Sequence, residues 1–217
     1  FNEAAVISQK LENTLALDYP GDRLEVVVIS DASSDATDQI VREFAPWGVR
    51  LARQAQRRGK TAGLNDVVPG VSGEIVVFSD ANAMYAPDAL RMLVRNFADP
   101  AVGSGTVEAR YTETSHTAAD DGARAHWNYA IPVRRLETAV GSMVGGDGAI
   151  YAIRKDLWRR LPDNAINDFL NPLQIAGMGW RTIYEPDAVC YEETAGRVGT
   201  EYHRRIRIVS RSWRAVF

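Results

Sequence analysis

Asp80-Ala81-Asn82 sets two oxygen-bearing side chains two residues apart, a spacing that in extended chain turns both to one side. Such a pair suits a ribose and a divalent cation, Mg²⁺ or Mn²⁺, because a hard cation takes oxygen ligands and neutralises the charge of a departing diphosphate. A turn or a helix cap uses the same residue types. Asp31 lies just past an apolar run, where its carboxylate could accept a hydrogen bond from a nucleobase N–H or cap the next helix. Asp168, in Asn167-Asp168-Phe169, has the chemistry of a general base and equally that of an acid favoured at a helix N-terminus. Gly145-Gly146-Asp147-Gly148 permits close backbone approach to a ligand, or makes a tight turn. His203, Arg204, Arg205, Arg207 and Arg211 form a cationic face that could grip a diphosphate or simply be solvated. Gly59-Lys60-Thr61 lacks the upstream glycine of a mononucleotide P-loop, which excludes that motif. His116 and His126 have no metal-ligand spacing.

The elements that must hold these residues alternate. Ile7, Leu11 and Leu15 recur at a spacing of four and predict an opening helix. A strand follows over Leu24 to Ile29, which the Ser30-to-Asp35 turn closes, and then a helix burying Ile40, Val41 and Phe44. Val49 to Ala52 reads as a strand, Thr61 to Val68 as a helix and Ile75 to Phe78 as a strand. Pro87 then opens a helix with Leu90, Leu93, Val94 and Phe97 on one face. This order predicts an α/β fold with a mostly parallel sheet flanked by helices, and Asp31 and Asp80 fall at carboxyl ends of strands, where such sheets bind ligands. Beyond residue 100 the pattern loosens: strands near Val102 to Glu108 and Ile150 to Ile153, a helical stretch near Ala118 to Val140, and short strands at Thr182 to Tyr184 and Val189 to Tyr191. A basic helix is expected to close the chain.

The 217 residues suit one large α/β domain, and 46% hydrophobic residues with 24% charged ones suffice for a packed core. A net charge of −3 gives no broad basic field, so nucleic acid is not an expected partner. Cys190 is the single cysteine, which excludes an internal disulfide and predicts a buried thiol on a strand. No apolar run reaches the roughly 18 residues that cross a bilayer.

Taken in order, Asn2-Glu3, ISDASSD at 29–35, RGKTAGLN at 58–65, FSDANA at 78–83, GGDGAIYAIR at 145–154, NDF at 167–169 and YEPDAVCYEE at 184–193 resemble family 2 of the inverting glycosyltransferases, which use the Rossmann-like GT-A fold. The resemblance runs along almost the whole chain. It implies a single catalytic domain over 1–217, with a nucleotide-sugar donor half at 1–100 and an acceptor and catalytic-base half at 101–217. Asn2, Glu3, Asp31 and Lys60 would surround the nucleoside. Asp80 would meet the ribose, the diphosphate and a divalent cation, with Asn82 in the second acidic position of the DxD motif. Asp168 would be the catalytic base, Gly146, Asp147 and Gly148 would lie on the acceptor side, and Arg205 and Arg207 would hold the diphosphate.

The implied reaction moves a sugar, with inversion, from a nucleotide diphosphate, expected to be UDP, to a hydroxyl of a glycan or lipid-linked acceptor in envelope or polysaccharide biosynthesis. Three departures from the family pattern stand out: Asn82 replaces an aspartate, Asn167 replaces a glutamate, and the QxxRW motif of processive synthases is Arg204-Arg205-Ile206-Arg207-Ile208. The last favours single-sugar transfer. The first two motivate an alternative, a catalytically impaired nucleotide-sugar-binding module. Nucleotidyl transfer is disfavoured, since Asn2-Glu3 stands where its glycine-rich loop would be. Family members open with a strand before the Asn-Glu pair, so the chain is expected to lack the first strand of the sheet and to be a fragment. Membrane attachment is expected through segments outside it, at the cytoplasmic face, with the basic run Arg204 to Arg214 near anionic lipid.

Overall fold

The computed structural model describes residues 1–112, 130–143, 146 and 148–193. The expected closing basic helix, His116, His126, Gly145, Asp147, Arg205 and Arg207 lie outside the described residues, as does the first part of the helical stretch at 118–140.

The chain opens with α1 (Ile7–Leu15), β1 (Val26–Ser30), α2 (Thr37–Glu43), β2 (Val49–Arg53), α3 (Lys60–Val67), β3 (Ile75–Ser79), the two-residue β4 (Met84–Tyr85) and α4 (Ala89–Arg95). It continues through β5 (Val102–Thr112), a helix at 130–140 (α5), β6 (Ile150–Arg154), α6 (Asn167–Gly177) and β7 (Arg181–Glu193). Two of the three residues of the predicted period-four face of α1, Ile7 and Leu11, are buried with Val41 of α2 and Val49 of β2, whereas Leu15 in the last turn is exposed. The larger core gathers Leu90, Leu93 and Phe97 from α4 and its last turn against Val102, Val107, Ile150 and Ile183 of the sheet. Phe78, Tyr151 and Ile153 meet Leu64 of α3 and Ile175 of α6 in a third cluster.

The α/β class and the flanking helices are as expected, but the sheet is mixed, not mostly parallel. β1 and β2 pair in parallel, whereas the five-stranded sheet runs β3-β6-β5-β7-β4 with only β5 and β7 parallel. The physical reason is the return of the chain after β5. β6 inserts between β3 and β5 and runs against both, a course that the strand-helix alternation of the first hundred residues does not announce. Among the described residues β1 is paired along one edge only, which leaves Val26 to Ile29 half-buried instead of enclosed on both faces.

A second correction concerns residues 181–193. The two short strands expected there are one long strand, β7, with a bulge: Val107 pairs with Glu185 and Glu108 with Val189, so residues 186–188 have no opposite number. Pro186 offers no N–H to a ladder. Arg95 binds both Glu185 and Asp187 and pins the bulge from α4. Cys190 is buried on β7, as predicted.

Candidate active site

Asp31 follows β1, and Ala32 after it has a left-handed backbone, φ 56°, which breaks the strand sharply. The Asp31 carboxylate does not cap α2. It accepts from Arg58 N at 2.8 Å, from Gly59 N at 3.0 Å and from Gln54 Nε2 at 2.9 Å, and Arg57 Nε lies 3.8 Å away. It thereby shapes the loop into α3, where Gly59 at φ 94° takes a conformation that a side chain disfavours. Asp35, two residues before α2, accepts from Thr37 N at 3.0 Å and from Ala4 N at 3.2 Å and so joins the start of that helix to the first residues of the chain. Asn2 closes the same turn, accepting from Ser34 N at 2.9 Å and donating its own N–H to Ser33 Oγ at 3.1 Å.

Asp80 sits one residue past β3. Its N–H donates to Ala149 O at 3.1 Å, which continues the β3–β6 ladder, and its carbonyl accepts from Ala83 N to close the turn carrying Asn82. The carboxylate points out of this turn to the Lys60 ammonium, its ion-pair partner from the first turn of α3. Burial raises the pKa of Glu3, and the nearby carboxylates of Asp80 and Asp35 add to the rise. Glu3, Lys60 and Asp80 therefore share one electrostatic neighbourhood.

Asp80 and the exposed Asn82 fit a divalent cation of the kind that keeps most of its shell for water and substrate phosphates. The Lys60 ammonium against Asp80 shows that a positive charge is favoured there. No group of three or more His, Cys, Asp or Glu side chains able to enclose a metal exists among the described residues, so an all-protein cage does not fit.

Asp168 lies in the first turn of α6, favourable for its charge, and the peptide of Gly146 donates to its carbonyl at 2.8 Å. That carbonyl is available because Pro172, four residues on, has no N–H to return to it. A Cβ on Gly146 would fall 2.9 Å from Asp168 O, and one on Gly148 only 2.5 Å from Asp168 Oδ2. The two glycines thus let the backbone lie directly against the proposed base. Asn167, which stands where the family has glutamate, is buried and turned away from this surface: its Nδ2 donates to Tyr151 Oη at 2.9 Å. Tyr151 is stacked on Phe78 with ring centroids 4.5 Å apart. Burial raises its pKa strongly, and the charges of Asp168 and Asp80 both push it further. Both carboxylates therefore lie within electrostatic reach of one buried hydroxyl.

Several residues whose types and spacing in the sequence give no hint of chemistry position the candidate site. Gln54 joins Asp31 to Gly59 O at 3.1 Å. Thr61 Oγ1 donates to Ala165 O at 2.7 Å, and Asn65 exchanges hydrogen bonds with the backbone of Leu161, donating at 2.7 Å and accepting at 3.0 Å. Both tie α3 to the segment leading into α6. Thr61 and Asn65 stand inside RGKTAGLN, but nothing in a single sequence says what they would bind. Lys10 is a buried lysine on the inner face of α1, where the apolar spacing gives no hint of a charge.

The model of glycosyl transferase family 2 matches residues 1–160. The beta-monoglucosyldiacylglycerol synthase of Trichormus variabilis is 34% identical over 146 residues, 65% of this chain and 31% of the relative. The poly-beta-1,6-N-acetyl-D-glucosamine synthase of Staphylococcus aureus is 25% identical over 213 residues, 95% of this chain and 51% of the relative. The chain thus spans about a third to a half of the length of these curated relatives. Among solved structures, the mannosyltransferase PcManGT of Pyrobaculum calidifontis, in complex with GDP-Man and Mn²⁺, superposes with a TM-score of 0.82 at 33% identity, covering 97% of this chain and 59% of its own. Staphylococcus aureus TarS in complex with UDP-GlcNAc gives 0.67 at 16% identity over 91% of this chain and 57% of its own, a likeness of fold alone.

Proposed function

Because the chain belongs to glycosyl transferase family 2, we propose that it is the catalytic region of an inverting glycosyltransferase. Asp168 is the base in this reading. The observation that carries it is the convergence of Asp80, at the end of β3, and Asp168, against the Gly146–Gly148 backbone, on the same end of the β3–β6 ladder.

The Asp31 turn, with Asn2, Glu3 and Lys60 beside it, receives the nucleoside. Asp80 and Asn82 hold a divalent cation, which when bound offsets the charge of the diphosphate. Arg205 and Arg207 are assigned to the same diphosphate. An acceptor hydroxyl over Gly146, Asp147 and Gly148 gives its proton to Asp168, its oxygen bonds to the anomeric carbon, and the bond from that carbon to the diphosphate breaks on the opposite face. Holding donor and acceptor in line supplies much of the rate.

The donor is a UDP-sugar in our reading. GDP-mannose is the competing donor, because the 33%-identical structure holds it. The acceptor is a glycan or a lipid-linked molecule, supported by the glycolipid and polysaccharide synthases among the relatives. Membrane attachment is assigned to segments outside this chain, at the cytoplasmic face; among the described residues no helix is long and apolar enough to cross a bilayer. The impaired-module alternative loses one of its two supports, since Asn167 is turned into the interior and leaves Asp168 in place.

The test is release of nucleotide from a panel of UDP- and GDP-sugars with Mn²⁺, in the wild type and in Asp168→Asn. The substitution is expected to lower kcat by about 10²- to 10⁴-fold, the usual worth of a general base, and to leave nucleotide binding intact. Equal kcat in the two proteins would remove Asp168 as base.

A further inference from the structure

The geometry points to Lys10 of α1 as a positioning residue for the Asp80–Asn82 turn, acting through the main chain and side chain on either side of it. This rests on the assignment of that turn to the cation and diphosphate.

The Lys10 ammonium has three donor directions, and the structure fills them around one short stretch of chain. It donates to Ser79 Oγ at 2.8 Å, immediately before Asp80, and to Ala83 O, immediately after Asn82. It also lies 3.8 Å from the centroid of the Tyr85 ring, close enough for a cation–π contact. One side chain therefore staples both ends of the turn that presents Asp80 and Asn82. Three residues along the same helix, Asn13 accepts from Tyr85 N at 2.8 Å and returns Nδ2 to Tyr85 O at 3.0 Å. α1 thus grips residues 79 to 85 at three points, and its N-terminal lead-in grips the Asp31 turn through Asn2 and the start of α2 through Glu3.

Lys10 is 7% exposed, so the cation is kept there against a substantial cost of desolvation, which lowers its pKa to about 7. The Cys190 thiol and the carboxylates of Asp80 and Glu192 act in the opposite direction. A methionine would fill the same space without that cost, and helix α1 would keep its buried face. The ammonium is explained by what it holds: two acceptors and a ring that bracket the turn.

A residue that fixes ligand orientation from behind alters metal affinity and not only stability. The experiment measures Mn²⁺ binding from the loss of its free paramagnetic resonance signal, with UDP and in parallel with GDP, in full-length wild type, Lys10→Met, Lys10→Arg and Asn13→Ala. Melting temperatures are recorded alongside. Lys10→Met is expected to weaken Mn²⁺ binding by about ten- to hundredfold. Its kcat recovers at saturating Mn²⁺, and Lys10→Arg regains part of the affinity. Wild-type affinity in Lys10→Met, whatever its melting temperature, overturns the assignment. Should Lys10→Met not fold, Asn13→Ala loosens the turn from its Tyr85 end and is expected to weaken Mn²⁺ binding in the same direction; unchanged affinity there overturns it as well. Asp80→Ala separates the two readings. Wild-type affinity in Asp80→Ala removes the cation site and this inference with it, whereas loss in Asp80→Ala with none in Lys10→Met removes the role of Lys10 alone.

Discussion

Gly148 shows how much a missing side chain can contribute at the residue scale. Its Cα faces the Asp168 carboxylate so closely that a methyl group would fall 2.5 Å from Oδ2, and one of the two would have to move. Gly148→Ala is therefore expected to lower kcat by about 10²-fold, the low end of what loss of a general base costs, with nucleotide affinity unchanged. Single-turnover kinetics beside a nucleotide titration would check it, and an undiminished kcat would mean that Asp168 is not held where the structure places it. The candidate site residues Asp31, Asp80 and Asp168 stand out in the sequence because they lie in short motifs with recognisable order. Their partners do not. Asp31 looked equally suited to a nucleobase and to capping α2, and only the fold brings Gln54, Arg58 and Gly59 to its oxygens. Asn167 looked like a lost carboxylate until Tyr151, sixteen positions earlier, supplied the reason for an amide.

α6 makes the corresponding point for elements. A proline inside a helix ordinarily counts against it, yet Pro172 leaves the Asp168 carbonyl open to the Gly146 N–H. Pro172→Ala restores a donor to the helix that competes for that carbonyl. The expected result is a fall in kcat of about five- to tenfold, equivalent to one hydrogen bond of about 1 kcal/mol, with a melting temperature equal to or above wild type. A fall in melting temperature with kcat unchanged would show that the proline serves only the helix. The proline's position four residues after Asp168 was visible in the sequence, but its meaning needed the facing loop. Strands were less legible than helices for a related reason. The apolar runs located β1, β2, β3, β5 and β6, but direction and neighbour are settled by long-range return, and β4 is two residues long.

Across the whole molecule the turns proposed to hold the donor and the proposed base Asp168 belong to different stretches of chain, and α3 touches both. Lys60 reaches Asp80, Thr61 reaches Ala165, and Asn65 exchanges hydrogen bonds with Leu161 and donates to Asp163. Asn65→Ala leaves the N–H and the carbonyl of Leu161 without their partner in a buried setting, at a cost of about 1–3 kcal/mol. For a domain of this size each kcal/mol lowers the melting temperature by about 2–4 °C, so scanning calorimetry would detect the change, and an unaltered melting temperature would refute the role. The antiparallel β3–β6 ladder also sorts what can vary from what cannot. Asp80 and the backbone beside Asp168 inherit their spacing from main-chain hydrogen bonds, which are indifferent to side-chain identity. The Asp31 turn hangs on a different pair of strands, and the Lys60–Asp80 ion pair, a side-chain contact, links the loop it shapes to the end of the ladder. On the proposed roles, substitutions there retune which nucleotide is admitted while the distance between leaving group and base stays fixed, so one catalytic frame can be handed from substrate to substrate over evolutionary time.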